Sequence, residues 1–215
     1  SKALEYATKV IGADYHFTTQ EEMNAMGVTL CYSEIISGIY LKNTLLKKQT
    51  EKWFSENAGS TKLKISSAGV ETLFEVASLG STDLRKKNQF GSRENENEVF
   101  LNKYFTGSLL PLIRLSEVYY IAAECEPELA DGYEWLSQIR AKRGLPSLAV
   151  NSERDLRVKL NNEYAREFWG EGQTFFLHKR LNTEYLWIDE AGYNYNGANY
   201  LEYTIPLPTG EIENR

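Results

Sequence analysis

Apolar residues recur every third or fourth position in four stretches of this 215-residue chain, and most of these stretches run into a recognisable stop. Ala3, Ala7, Val10 and Ile11 share one stripe ahead of Gly12, predicting a helix over 2–11. With no residue before Ser1 to cap it and with a small alanine face, this helix is expected to begin uncapped and to pack against a helix upstream. Leu115, Val118, Tyr119 and Ala122 predict a helix over 112–125, opened by Pro111 and closed by Pro127. Trp135, Leu136 and Ile139 face inward on the next, over 132–143, with bases in its last turn and then Gly144 and Pro146. These two helices form an αα-hairpin. Leu156, Leu160, Tyr164 and Phe168 then fall at strict fourth positions, predicting a helix over 153–169 that two glycines end.

Between these stretches the signals are weaker. Thr19 with Glu22 reads as a capping box, and "CYSEIISGIYL" is β-branched and aromatic, suited to an extended strand. From about Thr44 to Tyr104 the composition turns polar around one short helical pattern, "AGVETLFEVASL", and reads as long surface loops. Residues 181–215 are rich in Tyr, Asn and Gly and are expected to wander over the surface. The fold class is therefore mainly α, with tetratricopeptide-like helical hairpins, long irregular loops and little β. One domain is expected over 1–215, carrying a loop-rich insertion at about 44–104.

Composition narrows the partners more than the fold. A net charge of −6 argues against nucleic-acid and anionic-membrane surfaces, and aromatics at 13% supply both core and stacking surface. Cys31 and Cys125 are far apart with no CxxC partner, so no zinc site or disulfide framework is signalled, though whether the two pair stays open. His16 and His178 are too few for a histidine-rich metal site. No apolar run reaches the length of a membrane helix.

The strongest chemical signal is a column of acids. Glu163, Glu167 and Glu171 recur at every fourth residue, so a helix stacks them on one face. Paired carboxylates are what a glycoside hydrolase requires, and Glu167 with Glu171 is the pair it would use. The same spacing also carries ion pairs, with Arg166, Lys179 and Arg180 close by, and the structural reading is preferred.

Four ordered strings then resemble one family. "PLIRLSEVYYIAAECE", "WLSQIRAKRGLP", "NNEYAREFWGEGQTFFLHKR" and "YTIPLPTGEIENR" are similar to the Arg-x-x-Glu helix, the Ile-Arg-x-Arg turn, the Arg-Glu-Phe and Glu-Gly block and the Pro-Ile-Pro ending of the SusD/RagB family, with "STDLRKK" resembling an earlier segment. Arg143 departs from the pattern by standing at an alanine position, and His178 at one where aspartate is common. Members of that family are cell-surface nutrient-binding lipoproteins of glycan-foraging Gram-negative bacteria, longer than this chain and lipid-anchored at an N-terminal segment absent here. The resemblance implies the C-terminal portion of such a protein, with Arg166, Glu167, Glu171 and Arg180 as scaffold, together with Arg114, Glu117, Glu124 and Arg140.

It further implies a non-enzymatic protein of the outer membrane surface that needs no cofactor or metal. Its ligand would be an oligosaccharide, passed to a TonB-dependent outer-membrane transporter (SusC-like). Sugar rings stack on flat aromatic side chains while Asn, Asp and Arg bond their hydroxyls, which points to Trp53 and Phe54 in the polar region and Trp187, Tyr193 and Tyr195 in the tail. The Trp53 loop is preferred, because Lys52, Glu56 and Asn57 flank it and no helical period claims the pair for the core. Covering the helical core is the other role open to all five aromatics.

Overall fold

The structure, a computed structural model, describes residues 1–19, 21–22, 32–40, 52, 64–75, 78, 80–92, 98–103, 109–149 and 151–182. Helix α1, Lys2–Ile11, is capped after all, since the Ser1 side chain accepts from the Leu4 amide at 3.3 Å. Its stripe is covered from within the chain: Ala7 packs with Val118 and Ala122, and Leu4, Val10 and Ile11 flank them. The upstream partner expected for this face is thus met in part by a later helix. The Thr19–Glu22 capping box forms reciprocally, at 2.7 and 3.1 Å.

Strand β1, Ile35–Tyr40, pairs antiparallel with a strand that the periodicity did not anticipate. The 44–104 region also holds more than loop: β2, Lys64–Ser66; α2, Ser67–Phe74; α3, Leu84–Gln89; β3, Phe90–Ser92; and β4, Glu98–Leu101. The three short strands form one sheet in the order β2-β4-β3. Phe74, Phe100 and Leu101 are buried there, and Phe90 bridges Phe74 and Trp169 at 5.4 and 5.6 Å. Strands of three or four residues carry too little alternation to be read from sequence.

Strand β5, Leu109–Arg114, is the partner of β1, with Gly38 opposite Pro111. A proline is tolerated because each strand of a two-stranded ribbon has one edge without ladder bonds. Helix α4 consequently starts at Leu115, not 112, and runs to Cys125. Helix α5 spans Leu129–Lys142, starting three residues earlier than its periodicity predicts. Its end is a Schellman turn: Gly144 at φ 75°, its amide donating to Ala141 O at 3.1 Å and the Leu145 amide to Arg140 O at 2.9 Å. That turn docks on residues 82–84 through Thr82 Oγ1 to Gly144 O, 2.6 Å, and the Leu84 amide to Arg143 O, 2.9 Å.

Helix α6, Glu153–Glu167, is capped by Ser152, and its stripe of Leu156, Leu160 and Phe168 is buried as the spacing predicts. Gly170 and Gly172, both at positive φ, turn the chain into α7, Gln173–Leu181. The apolar core joins α4, α5 and α6: Leu115, Tyr120, Ala123, Leu136, Ile139, Leu156 and Leu160, closed by Phe17 and Phe168. The described residues are mainly helical with little sheet, in agreement with the fold class read from the pattern. Among them no helix is long and apolar enough to cross a membrane.

Candidate functional site

Trp53, Phe54, Trp187, Tyr193 and Tyr195, the five aromatics proposed to meet a ligand, all lie outside the described residues, as do Cys31 and the Tyr-rich tail. Cys125 is a free thiol. Among the described residues no group of three or more potential metal ligands comes together.

The acid column is fully described, and it sits inside the protein. Glu163 is 0% and Glu167 1% exposed. Oε1 of Glu163 accepts from Arg140 Nη1 and from Arg166 Nη1, the latter at 2.9 Å, while Oε2 accepts from Arg85 Nη2 at 2.7 Å. Glu167 takes Arg143 through Nη2 at 2.9 Å and Nε at 3.1 Å, and Arg85 Nη1 at 3.3 Å. Glu171, nearer the surface, accepts from Arg114 Nη2 at 3.0 Å and from Lys103 Nζ, and both cations also donate to the Glu167 carbonyl.

Further acids extend the array. Asp83 holds Arg85 through its amide, Nε and Nη2 at 2.9, 3.0 and 2.7 Å, which also caps α3. Glu34 takes both Nη groups of Arg143 at 2.8 and 2.6 Å and the Thr18 amide at 3.0 Å. Arg166 reaches out to Leu73 O at 2.7 Å and Glu75 at 3.0 Å. The guanidinium groups of Arg114 and Arg143 also lie 4.7 and 5.4 Å from the rings of Phe168 and Phe17, so the ionic and apolar cores share a boundary.

The electrostatics follow from this enclosure. Burial pushes the Glu163 carboxyl up, but Arg85, Arg166 and Arg140 outweigh it and hold the group below the ordinary carboxylate value. For Glu167 the same contest, against Arg143, Arg114, Arg85 and Lys103, ends well below that value. Burial draws Arg85 down, yet Glu163 and Asp83 leave it well above its usual value. At Lys103 burial wins over Glu171, and its pKa is lowered. A general acid needs a raised pKa and contact with substrate. Glu167 is enclosed and its pKa is lowered, and with Glu163 and Glu171 it braces α6 and the turn after it against their neighbours.

Part of this brace was legible in the sequence: Arg166, Glu167, Glu171, Arg114 and Arg140 belong to it. Arg180 does not join it; it pairs with Glu124 across α4 and α7, at 2.8 Å through Nη2. Glu117 makes no hydrogen bond or ion pair with the described residues, against its assignment as an interhelical partner. The members missed were Glu34, Asp83, Arg85, Lys103 and Arg143. No local period marks them, although two strings that resembled the family, "STDLRKK" and "IRAKRG", contain Asp83, Arg85 and Arg143.

Two surface hollows lie beside the brace along α6 and share the Glu124–Arg180 pair, as two lobes of one cleft. One lobe, about 290 Å³, is bounded by Glu117 and Ile121 of α4, Tyr164 of α6 and the Glu124–Arg180 pair. The adjoining lobe, also about 290 Å³, shares that pair and adds Arg157, Leu160 and Asn161. Burial raises the Glu117 carboxyl, and burial followed by Glu117 pushes the Tyr164 phenol up to about 12. His178, half-buried on α7, is lowered by burial.

The described residues thus form a helical scaffold braced internally by arginine–carboxylate pairs. Residues 80–214 match the profile of the SusD family, and the chain belongs to that family. Its fold is similar to that of a SusD-like carbohydrate binding protein from Bacteroides vulgatus ATCC 8482, known from a crystal structure, with a TM-score of 0.65 and 21% identity. The match covers 86% of this chain and 42% of that one, so the chain spans less than half the length of that relative. No curated protein matches the sequence.

Proposed function

We propose that the chain is part of a cell-surface binding protein that captures oligosaccharide without cleaving it and hands it to a TonB-dependent outer-membrane transporter. Family membership supports glycan binding. The observation that carries the non-catalytic half is the burial of Glu163 and Glu167 among Arg85, Arg140, Arg143 and Arg166. Carboxylates held charged in an enclosed ion network cannot protonate a leaving oxygen.

In this reading residues 1–215 form one helical domain of a longer lipoprotein at the outer membrane surface. Sugar rings stack on Trp53 and Phe54, with Trp187, Tyr193 and Tyr195 as the competing contact surface, and capture needs no cofactor. Affinity electrophoresis through gels containing single polysaccharides tests the binding half. Retarded migration in at least one glycan gel is expected, and unchanged migration in all of them, including those carrying charged polysaccharides, would refute it.

A further inference from the structure

The two-lobed cleft has a division of charge that a neutral glycan alone would not use. In the first lobe Glu117 is a half-buried carboxylate with no hydrogen bond or ion pair among the described residues. The charged and titratable groups facing it are Arg114 and Glu171 from the brace, Tyr164 from α6, and the mutually paired Glu124 and Arg180. The Arg114 charge offsets part of the cost of burying this carboxylate, and its oxygens keep their hydrogen-bonding capacity unused among the described residues. Ile121, 37% exposed, and the Tyr164 ring give the lobe an apolar wall. Carboxylate and phenol beside an apolar wall match the alternation of hydroxyl edge and C–H face on a sugar ring.

The second lobe has the opposite character. Arg157 is exposed on α6 and has no ion-pair partner among the described residues, and Asn161 stands one turn further on. Arg180 commits two N–H groups to Glu124 and borders both lobes. A carboxylate seated here would meet the Arg157 fork and an amide donor. Each lobe is at the small end of ligand pockets, about 300 Å³, which suits one sugar ring apiece.

We propose that this cleft between α4, α6 and α7 binds an acidic oligosaccharide, placing a neutral, hydroxyl-bearing sugar against Glu117 and Tyr164 and a neighbouring uronic acid against Arg157 and Asn161. The inference rests on the glycan-capture reading and adds to it a second contact site and a substrate class. Arg157 discriminates: it supplies attraction to the uronate that a neutral chain lacks. Glu117 repels a second acid in the first lobe, so the cleft favours uronates separated by neutral residues over uninterrupted polyuronate.

The test is isothermal titration of the full chain with aldotriouronic acid, which carries one uronate on two xyloses, and with neutral xylotriose. The uronate sugar is expected to bind at least about tenfold more tightly, a difference of about 1.4 kcal/mol. Arg157→Gln should abolish that preference, and Glu117→Gln should weaken both sugars. Neither side chain holds an ion pair among the described residues, so both variants should melt close to the wild type, and a lowered melting temperature in both would overturn the assignment by making these residues structural. Equal affinity for the two sugars, binding confined to other neutral glycans, or a preference that survives Arg157→Gln overturns this inference alone. Failure to bind any glycan overturns the capture reading with it.

Discussion

Arg143 and Glu34 stand 109 residues apart in sequence and meet inside the protein through two parallel hydrogen bonds of 2.8 and 2.6 Å. Arg143 simultaneously holds Glu167 on α6, so one guanidinium fastens the end of α5 to the segment before β1 and to the acid column. Bidentate pairing of this kind fixes direction as well as distance. Several charged residues of the strings that resemble the family, Arg114, Arg140, Arg166, Glu167 and Glu171, are members of this buried network, and Arg143, which departs from the family pattern, joins them.

Removing one member should therefore cost far more than a surface ion pair. Glu167→Gln keeps shape but leaves Arg143, Arg114 and Arg85 facing a neutral amide, and is expected to lower stability by about 3–5 kcal/mol in urea unfolding. Lys9→Ala, which breaks the exposed Lys9–Glu5 pair, should cost only about 0.3–0.5 kcal/mol. Comparable losses from the two would contradict the brace.

Acid should loosen the same network. Glu163 and Glu167 have folded-state pKa values below the ordinary 4.5, so the stability they contribute is present above that value and is lost as pH falls through their depressed folded values. Lys103 has the opposite sense: its pKa is lowered, so its penalty persists at neutral pH and lifts only as pH rises through the folded value towards 10.5. The urea midpoint is expected to fall steadily as the pH is lowered below about 4.5. A midpoint unchanged down to strongly acidic pH would show that the carboxylates are not held charged.

Two glycines at nearly the same φ separate strain from crowding. At Gly144, φ 75°, an added Cβ would lie 2.9 Å from Thr82 O, whereas at Gly172, φ 73°, it would meet nothing within 4 Å. Gly172→Ala should cost about 1 kcal/mol from backbone strain alone, and Gly144→Ala about 1–3 kcal/mol more, because the α5 turn must leave residues 82–84. Equal melting temperatures for the two variants would remove the docked turn from the account.

The long periodic elements were readable because burial on one helical face leaves a local mark: Leu156, Leu160 and Phe168 declare α6 in a single string. The Thr19–Glu22 cap was readable for the same reason. Glu34 and Lys103 were not, since a charge reveals its partner only after the chain has brought distant segments together, and composition treats it as surface. Strand β5 reads in the sequence as the first turn of a helix because Leu112 and Ile113 continue the apolar run into α4. Of the site, the acid column and three of its cationic partners, Arg114, Arg140 and Arg166, were legible, whereas Arg85, Arg143 and Lys103 were not. The ligand aromatics rest on composition and on the family resemblance.

The aromatic assignment has its own prediction. Trp53→Ala should weaken glycan affinity by about 1–3 kcal/mol, by analogy with base stacking on aromatic side chains, with the melting temperature unchanged. Unchanged affinity in Trp53→Ala, together with loss of binding in Trp187→Ala, would move the contact surface to the tail.

Capture without cleavage is tested most directly by incubating the chain with each glycan that retards it and counting reducing ends over time against a protein-free control. The account predicts a saturable complex and a flat reducing-end count with every bound glycan. A rising count that disappears in a folded Glu167→Gln variant would contradict it, because it would mean that a carboxylate enclosed by Arg85, Arg114 and Arg143 reaches substrate after all.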